Sequence, residues 1–228
     1  MHFSDDAIEE LTALGRHWMR GFFSENELAS IVEGLAQICP EGGRLADGST
    51  LGPFIGHNSR LGTAIGNVMP SPRAVRLVEF RKSAQRNWSL GWHQDRVIAV
   101  RNKCDVTGFR NWSVKAGVQH VEPPIGLFDQ MLFARLHLSD VSRDDGCMEI
   151  ALGSHRLGRV DAIDAERAAA KLPIERCAAK AGDVLIANAL TLHRSCVNRD
   201  LVHDIRALRV DYGAEGQLPR PLSWAQAL

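Results

Sequence analysis

From residue 74 onward the sequence is a succession of short apolar runs rich in β-branched residues and separated by turn-forming residues. The turns include DDG at 144–146 and AGD at 181–183. A single helical pattern, at 161–172, interrupts the series, so strands and helices do not alternate as they would in a parallel sheet. The predicted strands are residues 74–80, 90–100, 131–138, 147–152, 183–190 and 205–212. This pattern predicts a mainly β fold, an antiparallel barrel or jelly roll with helices packed outside.

The first 38 residues carry helical signals instead. Ser4 can cap a first helix, and the SENE motif at 24–27 is a capping box that begins a second one. Residues 39–72 are rich in Gly, Pro, Ser and Asn, and predict a long irregular segment. The apolar positions expected to form the buried stripe of the first helix are Ile8, Leu11, Leu14 and Trp18.

Composition narrows the possible partners and surroundings. Lys plus Arg equals Asp plus Glu at 27 each, so no net charge draws the chain to nucleic acid or to an anionic membrane. No apolar run reaches the ~18 residues of a membrane helix. Five scattered cysteines without a C-x-x-C pair indicate reduced thiols and a cytoplasmic protein. The length fits one domain over 1–228, with a helical layer at 1–38 and a β core at 74–213.

The stretch GWHQDRVIAV, residues 91–100, places His93 and Asp95 two residues apart in a predicted strand. Such residues project from the same face of a strand. His193 ends the apolar run 183–193, and can supply a third ligand from another strand. Two histidines and one carboxylate leave the other metal positions open, as in non-haem Fe(II) oxygenases. Zinc accepts the same ligands, so this spacing by itself does not identify the metal.

If the open positions bind 2-oxoglutarate, the protein also needs a cation for the distal carboxylate of that molecule. A guanidinium suits it best, because its planar fork matches a carboxylate. The last predicted strand offers Arg206 and Arg209 on opposite faces. Arg206 shares its face with Leu208 and the apolar positions that follow, so we expect Arg206 to point inward. Ser195, two residues after His193, can donate a hydroxyl to the same carboxylate.

These features resemble the phytanoyl-CoA dioxygenase family of Fe(II)- and 2-oxoglutarate-dependent oxygenases. The matching text is NWSLGWHQD at 87–95, LHLSDVSRDDGCMEIALGSHRLG at 136–158, AGDVLIANALTLHRS at 181–195 and RALRVDY at 206–212. The resemblance implies a double-stranded β-helix, a cupin-like jelly roll. It also implies Fe(II) bound by His93, Asp95 and His193, with 2-oxoglutarate and O2 as cosubstrates.

The resemblance further implies that Arg206 and Ser195 bind the distal carboxylate and that Trp112 lines the cosubstrate pocket. The family's arginine usually follows the distal histidine slightly sooner, so Arg209 remains an alternative to Arg206. Asp95 is present, whereas related halogenases replace this carboxylate with a small residue. The expected function is therefore hydroxylation or another oxidation of a small molecule, with release of succinate and CO2. Two further residues are candidates for the substrate pocket, Lys115 and His155.

Three alternatives remain open. The trio His93, Asp95 and His193 can be a structural hydrogen-bonded group inside a barrel. The protein can be a divalent-metal cupin that catalyses hydrolysis or isomerisation and needs no oxoglutarate. It can also be a non-catalytic small-molecule sensor on the same fold. The sequence identifies neither the substrate nor the oligomeric state, and the acyl-CoA of the family name is not assumed.

Overall fold

The structure is a computed structural model that describes residues 4–197 and 203–228. Part of the predicted core range, residues 198–202, lies outside the described residues. In the described part of the chain, no helix is long and apolar enough to cross a bilayer.

Two capped helices form the N-terminal layer, as predicted. Helix α1 (Asp5–Leu14) begins after Ser4, whose Oγ accepts a hydrogen bond from the Ala7 amide at 3.2 Å. Helix α2 (Glu25–Ile38) begins at the reciprocal capping box of Ser24 and Glu27.

A short strand, β1 (Arg16–Met19), separates the two helices. The prediction that Trp18 continues the first helix is therefore wrong. Gly15 ends α1 with a left-handed φ of 75°, a conformation that glycine adopts without steric cost. Trp18 then pairs in register with Leu185 in the main sheet.

The segment 39–72, predicted to be irregular, contains short ordered elements. They are β2 (Gly43–Leu45), a 3-10 turn at Ser49–Leu51, α3 (Gly52–Ile55) and α4 (Arg60–Ile65). Helix α4 begins at Ser59, whose Oγ accepts from the Gly62 amide at 2.9 Å. Ile55 and Leu61 are fully buried, so tertiary packing orders a stretch whose composition favours loops.

The main sheet has six antiparallel strands in the order β1-β11-β8-β13-β3-β2. Its long members are β3 (Pro72–Lys82), β8 (Leu132–His137), β11 (Val184–Asn188) and β13 (Ile205–Ala214). One face packs against the helical layer: Leu208, Val210 and Tyr212 of β13 share a buried cluster with Ile31 and Leu35 of α2.

A second sheet of four strands, in the order β10-β9-β12-β4, faces the other side of the main sheet. Its strands are β4 (Leu90–His93), β9 (Met148–Ala151), β10 (Ile174–Arg176) and β12 (His193–Ser195). Phe133 and Leu185 of the main sheet share a buried cluster with Met148 and Ile150 of the second sheet. The two facing sheets confirm the predicted mainly β, double-stranded β-helix fold.

A third sheet, β5-β7-β6, and two more short helices complete the described fold. Its strands are β5 (Ile98–Val100), β6 (Arg110–Lys115) and β7 (Val118–Glu122), and the helices are α5 (Ile125–Phe128) and α6 (Ala165–Ala169).

The structure divides one predicted strand and one apolar run into two strands each. The run 90–100 becomes β4 and β5, so Asp95 lies just past the end of β4. The run 183–193 becomes β11 and β12, because the chain turns after Asn188, whose Oδ1 accepts from the Leu190 amide at 2.8 Å. His193 therefore begins a strand of the second sheet instead of ending one of the main sheet.

Candidate metal centre

Two imidazoles meet where β4 and β12 pair. His93 and His193 are directly opposite each other in the antiparallel register. Their ring centroids lie 4.3 Å apart. Phe133 of the main sheet packs against His193, with ring centroids 5.8 Å apart. The division of the run 183–193 is what makes this meeting possible, since it brings His193 beside the H-x-D strand.

Backbone carbonyls fix which nitrogen of each ring is free. The Nδ1 of His93 lies 2.8 Å from the Gly91 carbonyl, and the Nδ1 of His193 lies 3.0 Å from the Thr191 carbonyl. A carbonyl oxygen can only accept, so each Nδ1 carries a proton, and in the neutral form of each ring the lone pair is on Nε2. This carbonyl-oriented arrangement is common among metal-ligating histidines.

The third predicted ligand, Asp95, lies beside the two rings. Its Oδ2 is 3.6 Å from His193 Nε2 and 2.6 Å from Arg209 Nη1, and its Oδ1 is 3.9 Å from Arg76 Nη1. Burial by itself would raise the pKa of Asp95, but the Arg209 and Arg76 guanidiniums outweigh burial and hold that pKa well below its usual value. Burial, followed by the neighbouring His93, lowers the pKa of His193 to about 3. An ionised carboxylate and a neutral imidazole are the forms that bind metals.

His93, Asp95 and His193 are residue types that bind Fe(II), although their ligating atoms do not surround a single point in this structure. Among residues 4–197 and 203–228, no three His, Cys, Asp or Glu side chains are close enough to hold a metal ion as they stand. The Asp95 oxygen nearest to His193 Nε2 is also the oxygen that lies against Arg209. Two neutral imidazole nitrogens and one carboxylate are nevertheless the ligands of the non-haem iron facial triad. The structure brings the three predicted ligands together, and metal binding by them stays a prediction.

These residues line a cavity of about 430 Å³ between the two sheets. This volume is in the range of small-molecule sites. Apolar walls are provided by Phe80, Phe133 and Met148. Ser195 also lines the cavity, and its predicted contact with the distal carboxylate stays a prediction.

Two of the arginines that line the cavity, Arg76 and Arg209, share one carboxylate partner, Asp211. Arg76 donates to Asp211 at 2.8 Å, and Arg209 donates to the other oxygen of Asp211 at 2.6 Å as well as lying against Asp95. Arg209 is thus shared between two carboxylates.

Lys82, at the end of β3, is a buried cation that also lines the cavity. Its Nζ donates to Ser195 Oγ at 3.0 Å, to the Gly146 carbonyl at 3.1 Å and to the Cys196 carbonyl. All three acceptors are neutral. No carboxylate in the described part of the chain pairs with Lys82.

Arg135 on β8 has no carboxylate partner among the described residues either, and it lines the same cavity. Its guanidinium lies over the Phe80 ring, 5.1 Å from the centroid. Its Nε is enclosed and, in the part of the chain described, has no hydrogen-bond partner. Burial, with a smaller contribution from Arg209, lowers the pKa of Arg135 to about 10, so this side chain remains charged.

The prediction that Arg206 points inward is wrong. Arg206 is not among the residues that line the cavity, and its guanidinium pairs with Glu79 at 2.7 Å. It shares its face with Leu208, which packs beneath the helices, whereas Ile205 and Arg209 on the opposite face line the cavity. The run of alternate apolar residues marks the helix-covered face of the sheet and not the barrel interior.

The structure does not bring the remaining three predicted residues to the cavity lining. Trp112 packs beside the buried cluster of Ile98 and its neighbours. Lys115, on β6, lies near Arg44, and burial followed by that arginine lowers the pKa of Lys115. His155 lies beside α1, with Nε2 3.0 Å from the Thr12 carbonyl.

Sequence reasoning missed Lys82, Arg135 and His137, which all line the cavity. A signal for two of them was present. In MLFARLHL, Phe133, Arg135 and His137 recur with period two, so polar residues occupy one face of a predicted buried strand. His137 is 2% exposed, and neither ring nitrogen has a hydrogen-bond partner among the described residues.

A double-stranded β-helix with two histidines and one carboxylate at the wall of its cavity has the architecture of cupin-like, metal-dependent oxygenases. The chain belongs to the phytanoyl-CoA dioxygenase family, whose sequence model matches residues 18–200. A search of curated protein sequences found no match.

Solved structures share this fold at low sequence identity. SnoK, a non-haem alpha-ketoglutarate-dependent carbocyclase from nogalamycin biosynthesis, is 20% identical with a TM-score of 0.66, covering 99% of this chain and 93% of its own. HygX from Streptomyces hygroscopicus, with nickel and 2-oxoglutarate bound, is 17% identical with a TM-score of 0.63, covering 93% and 87%. AviO1 from Streptomyces viridochromogenes is 16% identical with a TM-score of 0.64, covering 95% and 97%. At these identities the likeness shows a common fold.

Proposed function

We propose that this protein is an Fe(II)- and 2-oxoglutarate-dependent oxygenase that oxidises a small molecule. The observation that carries the proposal is the pair His93 and His193, each with Nε2 free and Nδ1 held by a carbonyl, beside the ionised Asp95. Family membership supports it, as do the neighbouring structures with iron or with nickel and 2-oxoglutarate bound.

In this proposal His93, Asp95 and His193 hold the iron. Bound iron and 2-oxoglutarate together supply O2 activation, in which conversion of 2-oxoglutarate to succinate and CO2 drives substrate oxidation. Other groups of the chain hold the three ligands in their metal-binding forms. The carbonyls of Gly91 and Thr191 hold each imidazole in the ligating tautomer. Arg209 keeps Asp95 ionised, and competes with the metal for it.

The substrate class follows from the cavity. A volume of about 430 Å³ with aromatic and aliphatic walls suits a small organic molecule. Two of the neighbouring structures contain hygromycin B or a nogalamycin compound. The neighbouring proteins include a carbocyclase and an epimerase, so we propose substrate oxidation in general, by hydroxylation or by another route.

The test is an anaerobic titration of the purified protein with Fe(II) and then 2-oxoglutarate, followed by absorption spectroscopy. We expect a metal-to-ligand charge-transfer band in the wild type and its loss in Asp95→Asn. The matched control is Asp161→Asn, an exposed aspartate whose carboxylate lies 3.9 Å from Arg96 and which should leave the band unchanged.

Folding of each variant is checked by circular dichroism, so that loss of the band is not confused with loss of structure. Folded wild type that shows no band would overturn the proposal and favour a divalent-metal cupin that uses no oxoglutarate. A band without succinate formation in air, across a panel of metabolites, would favour a small-molecule sensor.

A further inference from the structure

Lys82 and Arg135 form a cationic pair without a counter-ion. Both line the cavity, and repulsion from Arg135 contributes, after burial, to a lowered pKa of Lys82. Of the residues that the structure describes, no carboxylate pairs with either side chain. Enclosing two like charges without an opposite charge is unfavourable, and such groups are normally compensated. The pair therefore indicates a site for an anion.

The pair lies within reach of the proposed metal centre. Ser195 follows His193 by two residues on the same strand, so their side chains share a face and are separated by about 7 Å. Lys82 Nζ contacts Ser195 Oγ at 3.0 Å, and Arg135 is opposite Arg209 in the register of β8 and β13. A short dicarboxylate with one end at the metal would place its other end at Ser195 and the pair.

Donor chemistry at this end of the cavity suits a carboxylate. Ser195 Oγ accepts from Lys82, which leaves the hydroxyl proton for another acceptor. The enclosed Nε of Arg135 has no partner among the described residues. His137, in the same part of the lining, also has two unpartnered ring nitrogens within the chain described. Several donors thus line this end of the cavity, and within the described residues none of them is paired with a carboxylate.

Strand β13 offers no equivalent cation. Arg209 is already shared between Asp95 and Asp211, and Arg206 lies on the opposite face with Glu79. The inward-facing position at the start of β13 is Ile205, an apolar residue. Lys82 pairs with Ile205 in register, so the neighbouring strand supplies a cation where β13 has none.

We propose that Lys82 and Arg135, together with Ser195, bind the distal carboxylate of 2-oxoglutarate in place of an arginine from β13. This inference rests on the proposed function. It assigns the selectivity for a dicarboxylate cosubstrate to residues on β3 and β8.

The test compares two ligands by calorimetry on the Ni(II)-loaded protein, which cannot turn over. 2-Oxoglutarate has the distal carboxylate, and 2-oxobutyrate lacks it. In Lys82→Met and in Arg135→Met we expect 2-oxoglutarate to bind about tenfold to a hundredfold more weakly, the usual effect of losing a charged hydrogen bond. The affinity for 2-oxobutyrate should change by less than about twofold.

The matched control is Arg206→Met, because Arg206 lies on the opposite face of β13 and is also replaced by methionine. This variant should retain wild-type affinity for both ligands. Methionine removes an uncompensated charge while keeping a similar volume, so we expect both test variants to fold. Retention of full 2-oxoglutarate affinity in both variants, while wild type binds it, would overturn this inference alone. Equal weakening of both ligands would overturn it too. Wild type that binds no 2-oxoglutarate would overturn the proposed function with it.

Discussion

The two faces of strand β13 are both buried, but they differ in what they contact. On the helix-covered face, Leu208 and Tyr212 pack among apolar side chains. On the cavity face, Asp211 forms ion pairs with Arg209 and with Arg76. Strand alternation therefore separates the packing core from the candidate site by one residue. The comparison shows that charged residues, and not apolar ones, identify the face of β13 that borders the candidate site.

The largest expected effect on function comes from the cavity side. His193→Ala removes a proposed ligand, so we expect no charge-transfer band with Fe(II) and 2-oxoglutarate and no succinate in air. The control is His155→Ala, a histidine beside α1 that does not line the cavity, and it should retain the band. A His193→Ala protein with an unchanged band would contradict the assignment of this residue.

How far the site could be predicted from sequence depends on the same two faces. The H-x-D pair and His193 are recognisable because few residue types bind metals and their order along the chain is restricted. The choice of Arg206 failed because the apolar residues that alternate with it were taken to mark the interior, and here both faces are buried. The pairing of β13 with β3 and β8 in the structure is needed to show that Arg209 lies on the face that borders the cavity.

The fold was predictable where local chemistry determines structure. The serine caps of α1 and α2 and the apolar runs of the main sheet are local signals. Strand β6, RNWSVK, is largely polar, and its strand conformation depends on pairing with β7. The period-two pattern of β8 could indicate Arg135, but Lys82 is distant in sequence, so no spacing rule could indicate that the two residues lie together.

The ion pairs on the cavity face give the largest expected effect on stability. Asp211→Ala leaves Arg76 and Arg209 without their shared carboxylate, and we expect a loss of about 3–5 kcal/mol in the free energy of unfolding. The control is Glu215→Ala, immediately after β13, where the ion pair with Arg73 is exposed and the change should stay below about 1 kcal/mol. Urea denaturation measures both. Equal effects would mean that Asp211 is not needed to compensate buried charge.

A comparable but smaller loss is expected from the helix-covered face. Leu208 is fully buried, so Leu208→Ala should cost about 3 kcal/mol through the cavity it leaves. Leu157→Ala, at a leucine that is 51% exposed, is the control and should change stability little. The affinity of the Ni(II)-loaded Leu208→Ala protein for 2-oxoglutarate should stay near the wild-type value. A large fall in that affinity would show that the core face also shapes the site.

The smallest expected effect tests the separation of the faces most directly. Tyr212 is fully buried, and its hydroxyl donates to the Ile55 carbonyl at 2.7 Å. Tyr212→Phe removes this bond while keeping the ring, so we expect a loss of about 1–2 kcal/mol in urea denaturation. Tyr212 adjoins Asp211 in the chain but projects away from it, and 2-oxoglutarate affinity should change by less than about twofold. If the free energy of 2-oxoglutarate binding falls by more than the free energy of unfolding, the Tyr212 hydroxyl affects the geometry of the cavity face. The two faces of β13 would then not be independent.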